Sequence, residues 1–170
     1  AAIVEGGELA GMFDDLERLF AHREHLAVWE MPIDVLAGQR VLEIGSGAGA
    51  HSALFNHRGA EMVSLDLTPD RVVTTARKLD QLDPPSLAVQ GDARQLPFPD
   101  GWFDIVYSNG VLHHSPDIER SVAEVHRVLK PGGLAVVMLY ARYSFLYQGV
   151  LFPVRGVLQG KAWRSRQWLG

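Results

Sequence analysis

Strand-like and helix-like segments alternate across residues 40–140, which predicts an α/β fold: a three-layer sandwich around a mainly parallel sheet. Two further observations point the same way. Phe103–Ser108 is a near-continuous apolar run, the pattern of a strand covered on both faces. Val41-Leu42-Glu43-Ile44 runs directly into Gly45-Ser46-Gly47-Ala48-Gly49, and glycine at alternate positions lets a backbone approach a ligand closely.

The elements follow in order. Leu9, Met12, Phe13, Leu16, Leu19 and Phe20 recur at three- and four-residue intervals, predicting an amphipathic helix. Pro32 opens a second, short helix that Gly38 ends before the strand Arg40–Ile44. Ala50–Arg58 is the helix after the glycine loop, closed by Gly59, and Glu61–Asp66 is the next strand. Thr68 and Pro69 give a cap and first turn to a helix whose buried stripe is Val72, Val73, Ala76 and Leu79. Asp83-Pro84-Pro85 breaks the chain ahead of a short strand, Leu87–Gln90. Ser115-Pro116 repeats the helix-start signal, with Ile118, Val122, Val125 and Leu129 lining one face up to Lys130. Leu134–Tyr140 is the fifth strand.

Composition narrows the function classes. Hydrophobic residues at 47% and charged ones at 21% describe an ordinary globular chain rather than a disordered one. The absence of cysteine excludes disulfides, thiol nucleophiles and cysteine-ligated metals. His22-x-x-His25 and His113-His114 are only pairs, so no metal site is expected. With no signal-type apolar segment and no apolar run near ~20 residues, a cytoplasmic location is expected. Charge is divided unevenly: residues 1–124 hold all 20 acids and nine Lys/Arg, while residues 125–170 hold seven Lys/Arg and no acid. A basic tail packed on an acidic domain explains this, with contact to an anionic substrate or membrane surface as the other reading. The basic residues are not interleaved with aromatics densely enough for nucleic acid, and a homo-oligomer stays open.

Asp66 follows Gly45 by 21 positions, at the end of the second strand, a spacing that suits an acid accepting from ribose hydroxyls. A nucleoside-containing cofactor follows. Gly45-x-Gly47-x-x-Ala50 also satisfies the dinucleotide fingerprint, which keeps a nicotinamide-dependent oxidoreductase as an alternative. Glu43 separates the two. Its carboxylate sits badly beside a pyrophosphate and well beside an ammonium group.

Gly91-Asp92-Ala93-Arg94-Gln95-Leu96-Pro97-Phe98 leading into Phe103-Asp104-Ile105-Val106, then Ser108-Asn109-Gly110-Val111-Leu112-His113-His114 and Arg127-Val128-Leu129-Lys130-Pro131-Gly132-Gly133, occur in one order after the glycine loop. Together these motifs resemble the class I S-adenosylmethionine-dependent methyltransferases, most closely the branch of ubiquinone and menaquinone C-methyltransferases and small-molecule enzymes. The resemblance implies a Rossmann-like fold, S-adenosyl-L-methionine as cofactor with S-adenosyl-L-homocysteine as product, and a small-molecule methyl acceptor. It implies that Glu43 meets the methionine ammonium while the backbone around Gly45, Ser46 and Gly47 approaches methionine and ribose. Asp66 would take the ribose hydroxyls, Leu67 would pack on adenine, and Asp92 with the Ala93 N–H would hold the adenine edge. Asn109 is either a backbone contact to the methionine or structural. His114 is either a base for the acceptor or a pocket-shaping histidine. A non-catalytic S-adenosylmethionine-binding module is the alternative from another class.

Three segments are expected: N-terminal helices over 1–39 packing on the cofactor side, a binding core over 40–140, and an aromatic, basic cap or insertion over 141–170. Within the first, His22 and Arg23 lie where such helices can close over the cofactor carboxylate, or on a solvated face; Tyr140, Tyr143 and Tyr147 either line a substrate pocket or pack on the sheet edge. Nothing in 141–170 reads as the antiparallel hairpin that usually completes such a sheet, so the natural chain is expected to continue beyond Gly170.

Overall fold

A computed structural model describes residues 6–25, 31–83 and 86–139, with first-helix side chains over 10–20. The predicted cap over 141–170, Tyr140, Tyr143 and Tyr147, and the side chains of His22 and Arg23 lie outside the described residues. The strands are β1 (Arg40–Ile44), β2 (Glu61–Asp66), β3 (Leu87–Gln90), β4 (Phe103–Asn109) and β5 (Leu129–Met138). They form one parallel sheet in the order β3-β2-β1-β4-β5. The chain steps outward from β1 to β3 and then returns to β4 beside β1. This reversal opens a crevice at the C-terminal ends of the two central strands, where open α/β sheets bind ligands.

Helices cover both faces. On one, Phe13 and Phe20 of α1 (Gly6–His25) and Leu54 and Phe55 of α2 (Ala50–His57) pack on Val41, Met62, Ile105 and Tyr107. On the other, Val125 and Val128 of α4 (Ile118–Val128) pack on Leu42, Ile44, Val63, Leu65, Phe103 and Val106. Strand alternation sorts the two sets, because successive side chains leave opposite faces of the sheet; Phe103 departs from it, next to the register shift between Phe103 and Ile105. α3 (Pro69–Leu79) lies against α2, β2 and β3.

Most predicted elements stand within a residue or two, and the differences have local causes. Val73 and Val122, expected on buried stripes, are 50% and 49% exposed; Thr75 with Leu79, and Ser121 with Val125 and Val128, face inward instead. Two small hydroxyl residues are admitted because their side chains bond locally: Thr75 Oγ1 donates to the Gly47 carbonyl and Ser121 Oγ to the Asp117 carbonyl. The cap of α4 is Asp117, whose carboxylate accepts from the Arg120 N–H at 3.0 Å, and not the Ser115-Pro116 pair. The Pro32 segment is a single 3-10 turn, Ile33–Val35. β5 begins at Leu129, which pairs with Phe103 before the register shifts to Ile105↔Leu134.

The segment between β3 and β4 is stitched to α4 by side chains of that helix, Arg127 above all; Arg120 Nε also donates to the Arg94 carbonyl at 2.9 Å. Arg127 donates to Glu124 Oε1 at 2.8 Å and Oε2 at 2.8 Å, to Asp100 Oδ1 at 2.7 Å, and to the Phe98 and Leu96 carbonyls at 2.8 and 3.0 Å. Glu124 Oε2 in turn accepts from the Leu96 N–H at 2.7 Å. The hydrogen bonds to Arg127 hold the Glu124 carboxyl below the usual carboxylate range. Arg127 therefore fixes against α4 the Leu96–Asp100 segment that runs on from Asp92 and Ala93.

Candidate functional site

A cavity of about 320 Å³ opens at the crevice. One wall comes from the tips of β1 to β3: Gly45, Gly47, Asp66, Leu67, Asp92 and Ala93; the other is the β4–α4 connection with Val111, Leu112 and His114. Seven of the ten predicted site residues thus meet in one space. Glu43, Ser46 and Asn109 are not in its lining.

Asp66 ends β2 with its carboxylate between two backbone donors. Oδ2 accepts from the Gly47 N–H at 2.9 Å and Oδ1 from the Thr68 N–H at 2.9 Å. Thr68 forms no side-chain cap, so Asp66 also secures the start of α3, a role that the sequence pattern had assigned to Thr68. Each carboxylate oxygen keeps further acceptor capacity toward the cavity. Leu67, beside it, is 66% exposed, an apolar surface at the rim.

The glycine loop is closed upon itself. The N–H groups of Gly45 and Ser46 donate to the Leu65 carbonyl, that of Gly47 to Asp66, and that of Gly49 to the Ser46 carbonyl. A pyrophosphate cradle needs such donors aimed at the ligand. Here four of them are committed internally, which disfavours a dinucleotide. The glycines themselves answer different needs. A Cβ on Gly45 would sit 2.3 Å from Val111 Cγ2 at a φ of +79°, whereas one on Gly47 would meet nothing within 4 Å. Gly45→Ala is expected to destabilise the fold by about 2–4 kcal/mol through left-handed backbone strain and overpacking. Urea unfolding of Gly45→Ala and of Gly45→Ala/Val111→Ala checks this, since the second variant relieves the clash with the two Val111 methyls but keeps the one with its Cβ at 2.8 Å and the strain, and so should recover only part of the loss.

Asp92 is held by Arg94, whose guanidinium reaches Oδ2 at 2.6 Å and Oδ1 at 3.0 Å and whose N–H donates to Oδ1 at 2.8 Å. The Arg94 hydrogen bonds pull the Asp92 carboxyl down to about 2. It is an ionised acceptor throughout the range of folded proteins, and any ligand amino group shares it with Arg94. The sequence pattern gave no sign of that partner beyond its i+2 spacing.

His114 is exposed and ends the 3-10 turn Leu112–His114, its ring 4.1 Å from that of His113. Partial burial, and then the adjacent imidazole, lower the His113 pKa. Ser46 faces α3, its Oγ 3.4 Å from Thr75 Oγ1. Asn109 ends β4 and donates to Tyr107 Oη at 3.0 Å.

Glu43 points into the opposite layer, 2% exposed. Ser52 Oγ donates to its Oε2, and His51 Nδ1 lies 3.5 Å from Oε1. Among the described residues no Lys or Arg reaches it. Ser52, Ser64 and His51 were not singled out from sequence. The available signal is that Glu43 and Ser64 are the polar interruptions of two apolar runs and stand opposite each other in register.

Comparison with known proteins decides the family. A model described as a methyltransferase domain matches residues 42–137, more than half of the chain. The chain belongs to the methyltransferase-domain family. It is 30% identical over 167 residues to a demethylmenaquinone methyltransferase of Thermus thermophilus, covering 90% of this chain and 76% of the relative. It is 35% identical over 125 residues to the uncharacterized methyltransferase YcgJ of Bacillus subtilis, covering 73% of this chain and 49% of that protein. The YcgJ crystal structure superposes with a TM-score of 0.58 at 32% identity, over 69% of this chain and 50% of that one. The [4+2]-cyclase SpnF gives a TM-score of 0.58 at 27% identity, over 61% and 39% of the two chains. The family fold is the Rossmann-like one, and its members are S-adenosylmethionine-dependent methyltransferases. Among the described residues no helix is long and apolar enough to cross a membrane, and no group of His, Asp and Glu could hold a metal ion.

Proposed function

We propose that this chain binds S-adenosyl-L-methionine in the crevice and directs its methyl group to a small-molecule acceptor, releasing S-adenosyl-L-homocysteine. The observation that carries the proposal is the meeting of Asp66, Leu67, Asp92 and Ala93 in one cavity at the sheet's reversal, within a segment matched by the methyltransferase family. The residues fit the ligand. Asp66 offers acceptors for the ribose hydroxyls, Leu67 and Ala93 offer apolar contact to adenine, and Asp92 offers an ionised acceptor for its amino group. Glu43, buried and reached by no Lys or Arg among the described residues, is a seat for an ammonium group, because a buried carboxylate gains most from a cation brought with the ligand. By the family resemblance, Asn109 and the backbone of Gly45, Ser46 and Gly47 would approach the methionine and ribose.

The cofactor supplies a methyl group already activated by its sulfonium charge, for in-line displacement. The protein's share is alignment and exclusion of water. His114 lies in the lining that holds the adenosine residues, apart from Glu43 and Asn109, which favours a pocket-wall role over that of a base. His114→Ala is expected to lower turnover tenfold or less, about 1.4 kcal/mol; a loss of 10²–10⁴-fold with unchanged cofactor affinity would make it the base instead.

The acceptor class to test first is a demethylated naphthoquinol, on the strength of the Thermus thermophilus relative's name. Incubation of the chain with methyl-labelled cofactor and such acceptors is expected to give labelled product. A second reading, use of the bound cofactor without methyl transfer, is favoured by the likeness to SpnF, named a cyclase. Tight cofactor binding with no labelled product from any acceptor or cell extract would support that second reading.

A further inference from the structure

We infer that Ser52 and Ser64 are positioning residues for Glu43, and that this buried hydroxyl chain sets affinity for the amino-acid end of the cofactor. The inference rests on the proposed cofactor reading. Ser64 on β2 stands opposite Glu43 on β1 in the parallel register, so both side chains leave the same face of the sheet. Ser52, in the first turn of α2, lies above them. Ser64 Oγ donates to Ser52 Oγ at 2.6 Å, and Ser52 Oγ donates to Glu43 Oε2. Both protons point toward the carboxylate, so each hydrogen bond strengthens the next in a layer of low polarity.

The surroundings make the chain specific. Ser52 and Ser64 are both fully buried, among Leu54, Phe55, Met62 and Tyr107. Hydroxyls in such a layer are retained only where they are satisfied. Their effect on Glu43 is to fix Oε2 and turn Oε1 the other way, toward His51 Nδ1 at 3.5 Å. The His51 ring is itself set by stacking on Phe55 at 6.1 Å and edge contact with Tyr107 at 5.4 Å. Tyr107 Oη accepts from Asn109 at the tip of β4. One carboxylate oxygen is thus locked by Ser52, and the other faces His51. An ammonium group meeting Oε1 finds an oriented acceptor with no side-chain reorganisation left to complete.

A purely structural role for the serines would weaken all ligands alike. The test compares S-adenosyl-L-homocysteine with 5′-methylthioadenosine, which keeps adenosine and sulfur but lacks the amino-acid end. Titration calorimetry of the 170-residue chain is expected to show Ser52→Ala lowering homocysteine-nucleoside affinity about tenfold and Ser64→Ala about threefold, with methylthioadenosine affinity unchanged in both. Unchanged methylthioadenosine binding also reports that each variant is folded. Parallel loss of both ligands, or no loss of either, would overturn the inference while leaving the cofactor reading intact. Wild-type protein that binds neither ligand would overturn both together.

Discussion

Replacing Asp66 with alanine is expected to weaken S-adenosyl-L-homocysteine binding by 10²–10³-fold, about 3–4 kcal/mol. The effect is large because one carboxylate serves three ends. It holds the Gly47 N–H and with it the glycine loop, it holds the Thr68 N–H at the start of α3, and it faces the cavity where ribose hydroxyls would donate. Hydrogen bonds to a charged acceptor contribute about 1.5–3 kcal/mol each, and losing two from the ligand while loosening their scaffold gives the stated range. Asp66→Asn, which keeps one acceptor oxygen, is expected to lose about tenfold. Asp92→Ala is expected to lose less than Asp66→Ala. Arg94 already occupies both Asp92 oxygens, so the ligand gains only a shared acceptor there. Calorimetry on the three variants ranks them directly.

Arg127→Ala is expected to weaken the fold through the loss of a single polar side chain. Its guanidinium makes five hydrogen bonds that join α4 to the Leu96–Asp100 turn. Removing it leaves Glu124 and two backbone carbonyls short of donors in a half-buried place. A third of the side chain faces water, which moderates the loss. The expected destabilisation is about 2–3 kcal/mol, a fall of roughly 5–10 °C in Tm. Arg127→Lys should recover less than half of it, because a point-like ammonium cannot reproduce the planar fork. Thermal unfolding followed by circular dichroism measures both. Cofactor affinity should also fall, since the segment runs on from Asp92 and Ala93.

These two residues illustrate what could be read from the chain before its structure. Asp66 was legible because its chemistry depends on spacing: a strand that follows a glycine loop puts its terminal acid at the crevice whatever surrounds it. Arg127 was legible only as part of a motif, since its four partner residues are 3 to 31 positions away and no pattern in the sequence names them. The sheet was legible from apolar runs, which report burial on two faces directly. Helix faces were less so. Val73 and Val122 satisfy the helical period yet face solvent, because Thr75 and Ser121 bond to nearby carbonyls and take the inner positions. Glu43 was legible as an acid at the end of an apolar strand. Its turn into the α2 layer, toward Ser52 and His51, depends on α2 packing over β1 and β2, a tertiary fact that strand alternation alone does not specify.

The most direct measurement of the central claim is a calorimetric comparison of three ligands on one preparation: S-adenosyl-L-methionine, S-adenosyl-L-homocysteine and NAD. Binding of both sulfur nucleosides near one per chain, with no heat from NAD, is the expected result. It follows from Asp66 and Asp92 in one cavity, from Glu43 with no Lys or Arg beside it among the described residues, and from a glycine loop with four N–H donors already used. Saturable binding of NAD with no response to either sulfur nucleoside would contradict it.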